Sequence, residues 1–163
     1  MQSNKKLDST KSNFPISIGK LEGLILIGLL GVGAFDLAMY ADIAITGIPL
    51  DIPSILGKQV LGEHQYANFV GHLIHIGNGI GLSLLFGYVA LPISRKIVKL
   101  PTIVYGIAFT ALETVVAVWL VLLPALGAGI AGIDMAPEVA VMTMTRHIVL
   151  GLVFGASVRR WNN

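Results

Sequence analysis

The sequence predicts an all-α integral membrane protein, a bundle of four transmembrane helices with short loops and both termini in the cytoplasm. Three observations predict this class. Charged residues make up only 12% of the 163 residues, about half of the roughly 25% that a soluble domain carries. Four apolar runs each supply the about 20 residues that cross a bilayer. Basic residues gather at alternate ends of these runs.

The four predicted spans belong to one domain, residues 21–160, which follows a polar tail over residues 1–20. The first apolar run is longer than the ~7–15-residue core of a signal peptide, so we expect it to be retained as a span. The expected bounds of spans 1 to 4 are about 21–45, 66–91, 101–126 and 137–158.

The connections carry the signals that separate these spans. In the first connection, Ile52 to Leu61 is expected to form a short amphipathic surface helix that is capped by Asp51. Pro92 and a basic cluster end span 2, and Pro101 suits the first turn of span 3. Pro124 is expected to bend or stop span 3.

The distribution of lysine and arginine sets the predicted orientation. Nine of these residues lie in the N-terminal tail, in the connection between spans 2 and 3, and at the C-terminus, whereas the other two connections carry only Lys58. Basic residues near span ends stay in the cytoplasm, which predicts a multi-pass protein of the cell membrane with cytoplasmic termini. Anionic lipid accounts for these basic residues, so we expect no nucleic-acid binding.

Several polar side chains fall inside the spans, where each ionisable group costs about 2.5–3.5 kcal/mol at the bilayer centre. At a rise of about 1.5 Å per residue, the ionisable ones share one layer between the outer third and the midplane. Because every span contributes, we expect them to meet inside the bundle as an intramembrane polar network. Its members are Asp36, His72, His75, Asn78, Glu113, Arg146 and His147.

Arg146 must find a carboxylate because its charge is permanent. A short loop joins spans 3 and 4, so Glu113 is the expected partner and Asp36 the alternative. The histidines would then hydrogen-bond Asn78, nearby threonines or Asp36, and the network would fix the register of the helices.

Small residues predict where helices approach one another closely. Gly77 and Gly81 form a GxxxG pattern in span 2, and Gly151 and Gly155 form another in span 4. Such patterns let backbones come into contact, so we expect these glycines to pack helices together.

A weak internal repeat favours a duplicated two-helix hairpin. The outward spans 1 and 3 each carry a carboxylate, Asp36 or Glu113. The inward spans 2 and 4 each contain His-x-x-x-Gly, beginning at His75 or His147. Duplicated hairpins are common in membrane proteins.

The buried histidines raise two further hypotheses. His75 and His147 are candidates for a haem site, and His72, His75 and His147 are candidate ligands of a transition metal. A proton or ion path through Asp36, the histidines and Glu113 is the other hypothesis. No cofactor is required by the sequence, and haem or a metal is possible.

Three stretches resemble a family of uncharacterised small four-helix membrane proteins of archaea and bacteria. They are residues 69–72, 123–129 and 146–155. The resemblance implies four spans with recurring histidines in spans 2 and 4, and it implies no agreed activity. His75 and the glycine run after it are departures from that pattern.

The leading functional hypothesis is a non-catalytic accessory subunit of a larger membrane complex, of the respiratory or monooxygenase type. Four short-looped helices offer too little bulk to enclose a transport path alone. No GxSxG, phosphate-binding loop or HExxH is present, so we predict no catalytic residue and expect that the chain is not an enzyme. Expected partners are the lipid bilayer and either other membrane subunits or further copies of this chain.

Overall fold

A computed structural model describes residues 18–161, and within them it contains helices and turns but no β-strand. The α-helices, in chain order, are α1 (Ile18–Thr46), α2 (Ile52–Leu61), α3 (Ala67–Leu85), α4 (Leu91–Ile97), α5 (Thr102–Glu113), α6 (Leu123–Ala125) and α7 (Glu138–Trp161). Two π-helical segments, Phe86–Ala90 and Thr114–Leu122, join α3 to α4 and α5 to α6, and a 3₁₀ turn covers Ile130–Gly132.

Four continuous helical segments are long and apolar enough to cross a membrane: Gly19–Thr46, Ala67–Ile97, Thr102–Ala125 and Glu138–Val158. This confirms the all-α class and the prediction of four helices that are long and apolar enough to span a membrane. The N-terminal tail predicted over residues 1–20 lies outside the described residues up to residue 17, and the helix already includes residues 18–20.

Pro92 does not end the second span where the sequence suggested, whereas the third span ends beside Pro124 as expected. Pro92 lies in the first turn of α4, so the second span continues to Ile97, and the third ends one residue after Pro124. A proline inside a helix clashes with the carbonyl four residues earlier and donates no hydrogen bond. Each proline lies two residues after the end of a π-helical segment, so the carbonyl four residues earlier belongs to that segment, whose wider turns accommodate the proline ring.

The spans pack in the spatial order α3, α1, α7, α5. Contacts between α3 and α5 are sparse, and the two sides meet where the π-helical segment after α3 reaches α5. There the rings of Phe86 and Phe109 lie 5.5 Å apart. Beyond this contact, an open cleft separates α3 from the end of α5 and from the π-helical segment that follows it, and we call it the cleft between α3 and α5.

The two ends of the bundle differ in charge. Lys20, Arg95 and Lys96 lie at the end that we call the basic end, where α1 begins and α4 finishes. At the opposite end, which we call the acidic end, Asp51, Glu63 and Asp134 lie in the connections and Glu138 begins α7.

Glycines make the closest helix contacts. A Cβ on Gly106 of α5 would overlap the carbonyl oxygen of Gly151 and would lie 2.8 Å from the nitrogen of Gly155, both on α7. By contrast, Gly77 and Gly81 are exposed, and nothing lies within 4 Å of a Cβ built on either. The GxxxG pattern of α7 therefore packs against another helix, whereas the same pattern on α3 is exposed and makes no helix contact.

The short helix α2 spans the residues predicted for it. Asp51 caps it by accepting a hydrogen bond from the Ser54 nitrogen at 2.9 Å, and Pro53 lies in its first turn. One side of α2 is exposed over residues 58–61, and on its other side Gly57 packs directly on the backbone of Ala67 in α3. This contact holds α2 over the acidic end of the bundle.

A single added methyl group tests these glycine contacts. We expect Gly106→Ala to lower the free energy of unfolding by about 1–3 kcal/mol, because the new Cβ overpacks the contact between α5 and α7. Gly33→Ala is the matched control, since a Cβ there meets nothing within 4 Å, and it should be neutral or stabilising by up to about 1 kcal/mol. Titration with a denaturing detergent measures both, and equal stability of the two variants would contradict the packing.

Candidate functional site

Arg146 is fully buried, with 0% of its side chain exposed. Its Nε donates to Asp42 Oδ2 at 2.7 Å, and its Nη2 donates to Asp42 Oδ1 at 2.5 Å. Its Nη1 donates to the Leu50 carbonyl oxygen at 2.8 Å. The guanidinium thus joins α7 to the end of α1 and to the connection that leads into α2.

The partner of Arg146 is therefore Asp42, instead of the Glu113 or Asp36 expected from the sequence. Chain order suggested α5 as the neighbour of α7 at this depth, but α7 packs on α1 as well. Asp42 lies close to the end of α1, where a carboxylate is normally solvated. The sequence therefore did not indicate that it pairs with Arg146.

The first hairpin, formed by α1 and α3, brings Asp36 and His75 together. Asp36 Oδ1 lies 3.0 Å from His75 Nε2. Only 10% of the histidine side chain and 26% of the aspartate side chain are exposed. His75 Nδ1 forms no hydrogen bond within residues 18–161.

The second hairpin, formed by α5 and α7, brings Glu113 and His147 together. Glu113 Oε2 lies 3.2 Å from His147 Nε2, and His147 Nδ1 lies 2.7 Å from the Thr143 carbonyl oxygen. A carbonyl oxygen only accepts, so Nδ1 carries a hydrogen and donates it. In a neutral ring Nε2 is then an acceptor only.

Glu113 Oε2 is nevertheless left without a hydrogen bond. The atom is buried, and its approach to His147 does not have hydrogen-bond geometry, so it has no hydrogen-bond partner among the described residues. A buried polar atom of this kind costs free energy until a partner is supplied.

The two hairpins share one arrangement. In each, a carboxylate on the outgoing helix faces a histidine on the returning helix. Four residues after that histidine, Gly79 or Gly151 lies against a glycine of the outgoing helix, Gly28 or Gly106. The predicted internal repeat thus has a structural counterpart.

Phe35 separates the two pairs. Its ring centroid lies 5.0 Å from that of His75 and 5.1 Å from that of His147. Each histidine directs Nε2 at its own carboxylate, so a haem or metal bound by both histidines would require these pairs to open.

Within residues 18–161, no three His, Asp or Glu side chains are grouped closely enough to hold a metal ion. His72, the third proposed ligand, makes no side-chain hydrogen bond or ion pair in that part of the chain. The haem, metal and ion-transport hypotheses stay predictions.

A cavity of about 140 Å³ lies beside both pairs. Its polar wall consists of His75, Asn78, Glu113, Thr143 and His147, and the rest is apolar. Sites for drug-sized ligands hold about 300–1,000 Å³. This cavity therefore has room for a compact group only.

Two hollows adjoin the cavity. The cleft between α3 and α5 has a volume of about 420 Å³ and shares Asn78, Glu113 and Leu82 with the cavity wall. At the acidic end, an apolar hollow of about 190 Å³ lies between α2 and the π-helical segment after α5. It shares Ile52 and Leu56 with the cavity.

Trp119 is a residue of this region that the sequence did not indicate. Its Nε1 donates to Thr143 Oγ1 at 2.9 Å, and Thr143 Oγ1 in turn donates to the Val139 carbonyl oxygen at 2.8 Å. Thr143 is one of the threonines expected near the histidines, and its spacing of four residues from His147 places both on one helix face. No pattern in the sequence indicates Trp119.

Comparisons with known protein families, curated proteins and solved structures found no match to this chain.

The buried arginine pair has a direct test. Asp42→Asn leaves the guanidinium buried without a counter-charge, and we expect it to lower the free energy of unfolding by about 3–5 kcal/mol. Glu63→Gln, which breaks the exposed Lys58–Glu63 pair of 2.9 Å, is the control and should change stability by less than about 1 kcal/mol. Detergent unfolding followed by circular dichroism compares them, and a small effect of Asp42→Asn would contradict the assigned role of Arg146.

Proposed function

We propose that this chain is a multi-pass protein of the cell membrane, with both termini cytoplasmic, that binds a small lipid-soluble molecule. Four apolar helical segments and the separation of basic and acidic ends support the location and orientation. The observation that carries the binding function is a cavity bordered by Glu113, whose buried carboxyl oxygen Oε2 has no hydrogen-bond partner within residues 18–161.

The polar wall defines the head of such a ligand. Glu113 offers an oxygen, and the Asn78 carboxamide offers both a donor and an acceptor. A hydroxyl or carbonyl head would satisfy these groups. In a bilayer no water replaces such a partner, so each hydrogen bond supplied by the ligand removes a cost of several kcal/mol.

The size and position of the cavity define the size of the ligand and the route by which it enters. A volume of about 140 Å³ accepts a compact ring or a short head. The adjoining cleft faces sideways between two apolar spans, so a ligand would arrive from the hydrocarbon phase and not from water.

Fluorescence quenching tests this proposal. The chain has two tryptophans, so a Trp161→Phe background leaves Trp119 as the single reporter, and Trp119 bonds to a residue of the cavity wall. In lipid nanodiscs, 4-bromophenol, whose bromine quenches tryptophan on contact, should quench Trp119 saturably. Glu113→Leu should weaken this binding at least tenfold, about the 1.5–3 kcal/mol of a hydrogen bond to a charged group.

The matched control is Glu22→Gln, which changes an exposed carboxylate at the basic end and should bind like the unsubstituted protein. Quenching that rises linearly with the bromophenol-to-lipid ratio in all variants would show partitioning only and would contradict the proposal.

The accessory-subunit function is the second candidate. The observation that favours it is the outward face of α3, where Gly77 and Gly81 carry no contact and Asn78 exposes its carboxamide. A helix of another membrane subunit, or of a second copy, would approach such a face closely and bond the amide. The cavity beside the cleft favours a small ligand over a partner helix, because a helix would not reach into the cavity.

Crosslinking tests the second candidate, and the absence of cysteine in the chain makes it specific. With Gly81→Cys in native membranes, a short thiol-directed crosslinker should capture one partner chain in stoichiometric amount. Gly33→Cys on α1 is the control, since that position is also exposed and free of contacts. Equal capture at both positions, or none at Gly81→Cys, would contradict a subunit bound at this face.

A further inference from the structure

We infer that the ligand is a single-chain amphiphile whose prenyl or acyl tail lies in the cleft between α3 and α5 while its hydroxyl or carbonyl head occupies the cavity. This inference rests on the proposed function and adds the class of ligand and the position of its tail.

The cavity and the cleft have a continuous wall. Glu113 and Asn78 border both the cavity and the cleft, at the junction between the two. Beyond them the shared wall is apolar, with Leu82, Val118 and Leu122. A ligand placed here meets polar groups at one end and hydrocarbon along the rest of its length, which is the pattern of an amphiphile.

Small residues keep the cleft open. Gly77 and Gly81 lie one helical turn apart on the α3 wall, and Ala117 lies on the opposite wall. A Cβ on either glycine would meet nothing within 4 Å, whereas one on Gly79, between them, would overlap Val32 of α1. The glycines of the cleft are therefore not required for the packing of α3 on α1.

The shape of the cleft and the cavity favours a hydrocarbon chain over a helix as the occupant. An α-helix with side chains is about 10–12 Å across. A helix would therefore cover the mouth of the cleft without entering the cavity of about 140 Å³. A flexible hydrocarbon chain can use the whole length of the cleft and can continue into the cavity beside it, so the shape favours the chain.

The experiment compares heads with and without a tail. In nanodiscs of the Trp161→Phe protein, bound 4-bromophenol is displaced by phenol or by 4-dodecylphenol, with both concentrations expressed per lipid to remove partitioning. We expect 4-dodecylphenol to displace the bromophenol at a concentration at least tenfold lower than phenol.

Substitutions then locate the tail. Gly81→Leu places a side chain in the cleft, so it should remove the tenfold advantage of 4-dodecylphenol and leave displacement by phenol unchanged. Gly33→Leu is the matched control and should keep the full advantage. Ala117→Leu, on the opposite wall, repeats the test should Gly81→Leu fail to fold.

The outcomes separate the two proposals. If phenol and 4-dodecylphenol displace equally per lipid, or if Gly81→Leu keeps the advantage of the tail, the inference about the tail is overturned and the binding function stands. If 4-bromophenol itself does not bind saturably, the proposed function is overturned. Loss of a purified oligomer in Gly81→Leu, with the tail advantage retained, would assign the cleft to a partner helix and overturn the inference.

Discussion

The structure depends first on the buried guanidinium of Arg146. This group cannot lose its charge, so the chain around it must supply acceptors, and it finds them in Asp42 and the Leu50 carbonyl. The three bonds fix the end of α1 and the connection to α2 against α7. Together with the Gly57 contact to α3, they hold α2 over the bundle, where Ile52 and Leu56 close one side of the cavity. A structural ion pair thereby shapes a site that it does not touch.

The second constraint is a repeated hairpin that is not fully symmetric. Each carboxylate meets the histidine of its own hairpin, yet the residue before it differs. Phe35, before Asp36, is buried between the histidines, whereas Leu112, before Glu113, is 64% exposed. The first hairpin therefore fills its inner face with a ring and the second does not. The cavity and the cleft border Glu113, on the side where this asymmetry leaves space.

Hydropathy and the cost of intramembrane charge made much of this predictable. Four spans, α2 and the chemically important residues Asp36, His75, Glu113, Arg146 and His147 follow from the sequence alone. The partner of Arg146 did not follow, because it depends on which helices are neighbours in space. The cleft could not be predicted either, because Gly77 and Gly81, which line it, have the same spacing as Gly151 and Gly155, which pack against a helix. A spacing shows that backbones can approach, but it does not show which faces meet.

We propose that the space beside the Glu113–His147 pair holds a lipid-soluble ligand. Native mass spectrometry of the protein released from its own membranes measures this directly, since it records the mass of whatever remains bound. We expect one hydrophobic molecule per chain, retained by the unsubstituted protein and by Glu22→Gln and lost from Glu113→Leu. A protein that carries no such molecule, or that carries the same one after Glu113→Leu, would contradict the proposed ligand site.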